Sequence, residues 1–208
     1  MTPLEPLKHM LQERLPQLEL REEEPMERHT TFRVGGPVPL MALPKEEAEL
    51  QTILRCCQAA GTAPFFLGKG SNLLVADQGA EVFVVKLTGA LDRLEAAGET
   101  ALYVGAGVTL AQAASFAASH GWTGLEFAHG IPGTLGGGVF MNAGAYDGAL
   151  SQVIQWVDCL DETGQPRRLE GDALELGYRR SVFVRLPWLI TGARISLKKG
   201  EEGEIRGK

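Results

Sequence analysis

Residues 130–146 read GIPGTLGGGVFMNAGAY, with glycine at positions 130, 133, 136, 137, 138 and 144. Each fixed glycine costs backbone entropy, so such crowding needs a physical reason. Absent side chains let backbone approach a ligand or another segment closely. Pro132 stiffens the loop, and Thr134 and Asn142 are polar groups able to orient a ligand. A tightly packed turn leading into a helix, with no ligand, accounts for the stretch slightly better when it is taken alone.

A second glycine turn lies upstream. LGKGSNLL (67–74) follows the short apolar run PFFL (64–67), which reads as a buried strand. A glycine-flanked turn after a strand can present N–H groups to a phosphate, with Ser71 and Asn72 adding side-chain bonds. The Walker pattern fails because Lys69 is followed by Gly70, and the dinucleotide fingerprint fails because position 73 is Leu. A plain hairpin turn and a phosphate cradle account for LGKGSNLL equally well. Two such loops in one chain strengthen the case for a large phosphate-bearing cofactor lying between two lobes.

The flanking pattern is mixed. Leu4, Leu7, Leu11 and Leu15 have the spacing of a short amphipathic helix. REEEPMER (21–28) reads as a charged connector. Residues 44–61 read as a helix, with Pro44 at its first position, Leu50, Ile53, Leu54 and Cys57 as its stripe, and Gly61 as its stop. LLVA (73–76) and VFVVKL (82–87) read as strands. ALYVGAG (101–107) reads as another, and Thr109 caps an alanine-rich helix that runs to Gly121. VIQWVDCL (153–160) and PWLITGARISL (187–197) read as strands, DETGQP (161–166) as a hairpin turn, and KKGEEGEIRGK as a tail or linker.

Bulk properties exclude several classes. With 44% hydrophobic and 22% charged residues the chain can bury a core. A net charge of −6 and the lack of a basic stripe argue against nucleic-acid binding. No apolar run approaches the roughly 20 residues of a membrane span, and the N-terminus lacks the h-region of a signal peptide. Cys56, Cys57 and Cys159 are odd in number and do not read as a disulfide framework, so a cytoplasmic location is expected. The four histidines have no metal-ligand spacing. In LGYRRSVF (176–183), Arg179 and Arg180 could stabilise a developing enolate or carboxylate. A surface ion pair with one of the many glutamates is the stronger reading of those two arginines on sequence alone.

Four segments together resemble the UDP-N-acetylenolpyruvoylglucosamine reductase family of bacterial peptidoglycan precursor synthesis. They are TTFRVGG (30–36), LGKGSNLLV (67–75), GLEFAHGIPGTLGGGVFMNAGAY (124–146) and YRRSVF (178–183), in that family's order and spacing. The resemblance implies an α+β fold, the two-lobed PCMH-type (vanillyl-alcohol-oxidase-like) FAD-binding module. Its implied segments are an N-terminal helix and connector (1–28), a first lobe (29–89), a second lobe (90–198) and a tail or linker (199–208). FAD would lie between the lobes. Gly68, Lys69, Gly70, Ser71, Asn72 and Leu73 would hold its pyrophosphate, and Ile131, Pro132, Gly133, Thr134, Gly137 and Asn142 would line the flavin side.

The implied chemistry is ping-pong. NADPH reduces FAD, and hydride then passes to the enolpyruvyl double bond of a UDP-sugar, giving UDP-N-acetylmuramate. The family's Tyr-Arg motif falls on Arg179, whose implied role is to stabilise the enolate near the substrate carboxylate. The family's third, substrate-binding domain supplies a protonating serine and a late glutamate, and would begin where this chain stops at Lys208. Ser181 and Ser196 do not match that serine motif. The alternatives are another oxidoreductase on the same module, or a non-catalytic flavin-binding remnant.

Overall fold

The computed structural model describes residues 4–200. Two compact units are present. One comprises the chain up to Ala90 together with Leu160–Gln165; the other comprises Leu91–Cys159 and the chain from Pro166.

The first unit opens with α1 (Glu5–Arg14), which buries Leu7 and Leu11 completely. Each contributes about 1.5–3 kcal/mol of apolar burial. Strands β1 (Glu19–Pro25) and β2 (Pro37–Leu43) pair antiparallel, with Glu24 opposite Val38. Helix α2 (Glu47–Ala60) then leads to β3 (Pro64–Leu67) and, after a long loop, to β4 (Phe83–Lys86). β2 and β3 both run parallel to β4, giving the order β1-β2-β4-β3. β2 and β3 run parallel on either side of β4, and α2 is the crossover that carries the chain from one to the other. Its stripe of Leu50, Ile53, Leu54 and Cys57 is buried, and Gly61 closes it in the left-handed conformation at φ 64°. Burial pushes the Cys57 thiol up to about 12, and all three cysteines are free.

The second unit contains a five-stranded sheet in the order β11-β10-β12-β6-β5. Its strands are β5 (Leu94–Ala96), β6 (Ala101–Gly105), β10 (Ile154–Leu160), β11 (Pro166–Glu170) and β12 (Leu189–Ser196). β6 pairs antiparallel with β5 and with β12. Between β6 and β10 the chain forms α3 (Leu110–Ser119), β7 (Trp122–Thr123), α4 (Leu135–Phe140) and the small hairpin β8 (Gly144–Ala145) and β9 (Gly148–Ala149). Thr109 caps α3 by a reciprocal box. Its Oγ1 accepts from Gln112 N at 3.2 Å, and Gln112 Oε1 accepts from Thr109 N at 2.9 Å. Leu102, Val104, Ala193 and Ile195 are fully buried, and the alternate positions carry the polar face. There the guanidinium groups of Arg168 and Arg194 lie 4.5 and 4.9 Å from the Trp156 ring centroid. Arg93 lies 4.9 Å from the Tyr103 centroid.

Four local expectations are corrected. Residues 21–25 are not connector but the sheet's edge strand β1, where a charged run is what an exposed edge tolerates. LLVA (73–76) forms no strand. Leu73 and Val75 pack on the core around Met26 and Met41 while Leu74 is 75% exposed, so the alternation is real. Ala76 O accepts from Gly36 N at 2.9 Å, but no ladder forms. Pro44 precedes α2 rather than starting it; Glu46 is the N-cap. Lys198–Lys199 form β13, paired antiparallel with β7, and residues 201–208 of the expected tail lie outside the described residues.

Glu24 is 6% exposed in that edge strand. Its Oε1 lies 2.8 Å from His29 Nε2 and 3.2 Å from Arg21 Nη1. Burial alone would raise its pKa, but the hydrogen bonds from His29 and Arg21 outweigh burial and hold it below the ordinary 4.5. A carboxyl depressed by folding stabilises the native state fully above its unfolded value, and that stability is lost as pH falls through the folded one. Thermal melting of Glu24→Gln should therefore show a lower midpoint than wild type near neutral pH, with the difference shrinking as pH falls below 4.5. A gap that is constant with pH would show that the carboxylate charge is not what stabilises this strand.

Candidate cofactor site

The first glycine loop leaves β3 at Leu67, whose register partner in β4 is Lys86. Lys86 is half-buried, and burial lowers its pKa. Gly70 has φ 67°, and a Cβ there would lie 2.1 Å from the carbonyl oxygen of His29. Any side chain would be both strained and in collision, so this position requires glycine. Gly70 O accepts from Thr31 N at 3.1 Å. The loop is thus pressed against TTFRVGG, which sequence reasoning quoted without assigning it a task. The N–H groups of Gly68, Lys69, Gly70 and Asn72 donate to no backbone carbonyl among the described residues. Such a set of main-chain donors, with a glycine that keeps side chains away, fits a diphosphate.

The second loop lies in the other unit and divides into two kinds of glycine. Gly136 and Gly138 serve internal packing. A Cβ at Gly136 would meet Ala106 Cβ at 3.0 Å, and one at Gly138 would meet the Leu150 and Leu110 side chains at 3.0 and 3.2 Å. Leu135 N donates to Val108 O at 2.8 Å, and Gly136 N to Ala106 O at 3.0 Å, fastening α4 to the end of β6. Gly130 and Gly137 face open space, a Cβ at Gly137 meeting Thr134 Oγ1 at 3.9 Å and nothing closer. The N–H groups of Gly133, Thr134 and Gly137 donate to no backbone carbonyl among the described residues. Ile131 N donates to Ala128 O at 3.2 Å, and Pro132 is exposed beside it. The packed-turn reading therefore holds for Gly136 and Gly138, while Gly130 and Gly137 are left with open space beside them.

Asn142, at φ 43°, is 9% exposed and engaged within its own unit. Its Oδ1 accepts from Ser151 N at 2.9 Å, and its Nδ2 donates to Gly177 O at 3.0 Å. Gly177 begins a tight turn, Gly177–Arg180, closed by Gly177 N to Arg180 O at 2.9 Å and Arg180 N to Gly177 O at 3.2 Å. Arg179 sits in it at φ 52° and is exposed. No carboxylate lies within 4.0 Å of Arg179 or Arg180 among the described residues, so the surface ion-pair reading of these arginines is corrected. The Arg179 guanidinium lies 5.8 Å from the Tyr178 ring centroid. Ser181 is 2% exposed and donates to Phe140 O at 2.8 Å. Sequence reasoning missed Gly177 and Ser181 as anchors; nothing in their spacing from Asn142 and Phe140 announces the contact.

Comparison with known proteins bears on the same residues. The family model described as "FAD binding domain" matches residues 38–170. The UDP-N-acetylenolpyruvoylglucosamine reductase of Heliobacterium modesticaldum is 41% identical over 182 residues, covering 86% of this chain and 57% of that protein. The protein of the same name from a Synechococcus strain is 44% identical, covering 83% and 55%. The crystal structure of UDP-N-acetylenolpyruvylglucosamine reductase from Thermus caldophilus superposes with TM-score 0.75 at 32% identity, covering 91% of this chain and 65% of that one. The chain thus spans 55–65% of the length of these reductases. The glucooligosaccharide oxidase of Acremonium strictum shares the fold alone, at TM-score 0.67 and 13% identity, covering 93% of this chain and 43% of that one. The mixed helices and sheets are those of the α+β PCMH-type fold. The chain belongs to the FAD-binding domain family.

Proposed function

We propose that this chain is the FAD-carrying part of a UDP-N-acetylenolpyruvoylglucosamine reductase. The observation that carries the proposal is the identity of 41–44% to reductases of that name. The same fold in a sugar oxidase shares 13%. The open N–H groups of the two loops supply the chemistry that a flavin dinucleotide requires. In this reading Gly68, Lys69, Gly70, Ser71, Asn72 and Leu73 cradle the diphosphate. Ile131, Pro132, Gly133, Thr134 and Gly137 line the isoalloxazine side.

Bound FAD would supply the hydride-transfer chemistry that links NADPH to the enolpyruvyl double bond of a UDP-sugar. The protein's own residues bind, orient and stabilise. The main-chain donors fix the cofactor at no reorganisation cost, since their geometry is set by the ladders that flank them. Arg179 has no competing carboxylate among the described residues, so its guanidinium is available to the substrate carboxylate and to the negative charge that develops beside it. Ser181 cannot be the proton donor of such a reaction, because its hydroxyl is buried and already donates to Phe140 O. We assign no proton donor within residues 4–200.

Protein purified natively should carry flavin absorbance, or recover it when FAD is added after refolding. A colourless protein that takes up no FAD would overturn the proposal. Gly70→Ala should lose on the order of 2 kcal/mol of stability and bind FAD more weakly, as read by flavin fluorescence; wild-type affinity would remove the first loop from the site. In stopped-flow measurements on the FAD-loaded full-length reductase, Arg179→Ala should leave flavin reduction by NADPH unchanged. Reoxidation by the enolpyruvyl substrate should slow on the order of 10²- to 10³-fold. Equal losses in both half-reactions would remove Arg179 from its role.

A further inference from the structure

The Arg179 turn is held at both ends by one structure, the C-terminal end of α4. Phe140 is the last residue of that helix, and its carbonyl has no intrahelical acceptor role left to fill. Ser181 Oγ caps it at 2.8 Å. Two residues on, Asn142 bonds across the other side. Its Nδ2 reaches Gly177 O at 3.0 Å, while its Oδ1 is fixed by Ser151 N at 2.9 Å. Gly177 O therefore accepts twice, from Asn142 and from Arg180 N, using both lone pairs. Both anchors are buried, Ser181 at 2% and Asn142 at 9% exposure, whereas Arg179 between them is exposed.

The turn itself is strained. Arg179 lies at φ 52°, a conformation that L residues other than Asn and Asp seldom adopt. Such a residue persists only where its surroundings over-determine it. A glycine at position 179 would relieve the strain but would remove the guanidinium. The two anchors supply the constraint that lets arginine occupy the position.

We propose that Asn142 and Ser181 are positioning residues that hold the Arg179 turn in its left-handed conformation and so aim its guanidinium at the anionic group of the substrate. Asn142 then acts through Arg179 and not as a flavin ligand. This rests on the reading of Arg179 as the residue that meets the substrate carboxylate, and the test separates the two.

Asn142→Asp keeps the acceptor for Ser151 N and tolerates the positive φ, but it sets a carboxylate oxygen against Gly177 O. Ser181→Ala removes the cap on Phe140 O, and Ser181→Thr restores a hydroxyl. Hydrogen exchange in the intact chain should be roughly tenfold faster at the Gly177 and Arg180 amides in Asn142→Asp and in Ser181→Ala. Ser181→Thr should return exchange toward wild type. Loss of FAD affinity in Asn142→Asp with turn exchange unchanged would overturn the proposal in favour of a flavin contact. Unchanged exchange in Ser181→Ala would overturn it at the other end, and that variant decides the matter if Asn142→Asp does not fold. In the FAD-loaded full-length reductase both variants should slow reoxidation by the enolpyruvyl substrate roughly tenfold and leave reduction by NADPH unaltered. Faster exchange with both half-reactions unaffected would show that the anchors hold the turn but that Arg179 does not meet the substrate; the reading of Arg179 would then fail while the clamp stood.

Discussion

In the two glycine loops, this chain's ladders and turns leave several backbone N–H groups without a backbone acceptor among the described residues. On the strand side of the first loop the backbone is well paired. β3 and β4 run in register up to Leu67 and Lys86, and Leu87 N still donates to Leu67 O. The next residues, Gly68 to Asn72, then turn several donors away from any backbone carbonyl. In the other unit Leu135 and Gly136 close on Val108 and Ala106, and Gly133, Thr134 and Gly137 are left outstanding. Both sets flank residues whose geometry is fixed. An acceptor-rich ligand at either set would meet donors that are already placed.

What fixes them is local and differs between the units. Gly70 is pressed on the His29 carbonyl by Thr31, and His29 in turn is tied to Glu24 in the edge strand. A buried carboxylate in β1 thus supports a loop that follows β3. In the second unit Gly136 and Gly138 let α4 sit against Ala106, Leu110 and Leu150. The far end of α4 then reaches the Arg179 turn through Phe140 and Asn142. One short helix thereby links a candidate cofactor loop to a candidate catalytic arginine within a single unit.

Much of this was legible in the sequence where period and punctuation coincide. The stripe of α2, its stop at Gly61, the Thr109 cap and the strand over 101–105 follow from spacing alone. The misplaced start of α2 is a local matter of Glu46 and Glu49, but the other misses share a cause: each depended on a partner distant in sequence. REEEP became a strand because β2 was there to pair with it, and LLVA did not because no ladder partner lay beside it. The glycines of 130–146 could be counted, but their division into packing and open positions depends on Ala106, Leu110 and Leu150. Asn142 read as a ligand-side amide because its partner Gly177 is 35 residues away.

The most direct test of the account follows backbone amide resonances of the chain as FAD is added. Saturable shifts concentrated at Gly68, Lys69, Gly70 and Asn72, and at Gly133, Thr134 and Gly137, are the predicted result. FAD binding that leaves these amides unmoved, or shifts that never saturate, would contradict the proposal that the main-chain donors of each glycine loop contact the cofactor.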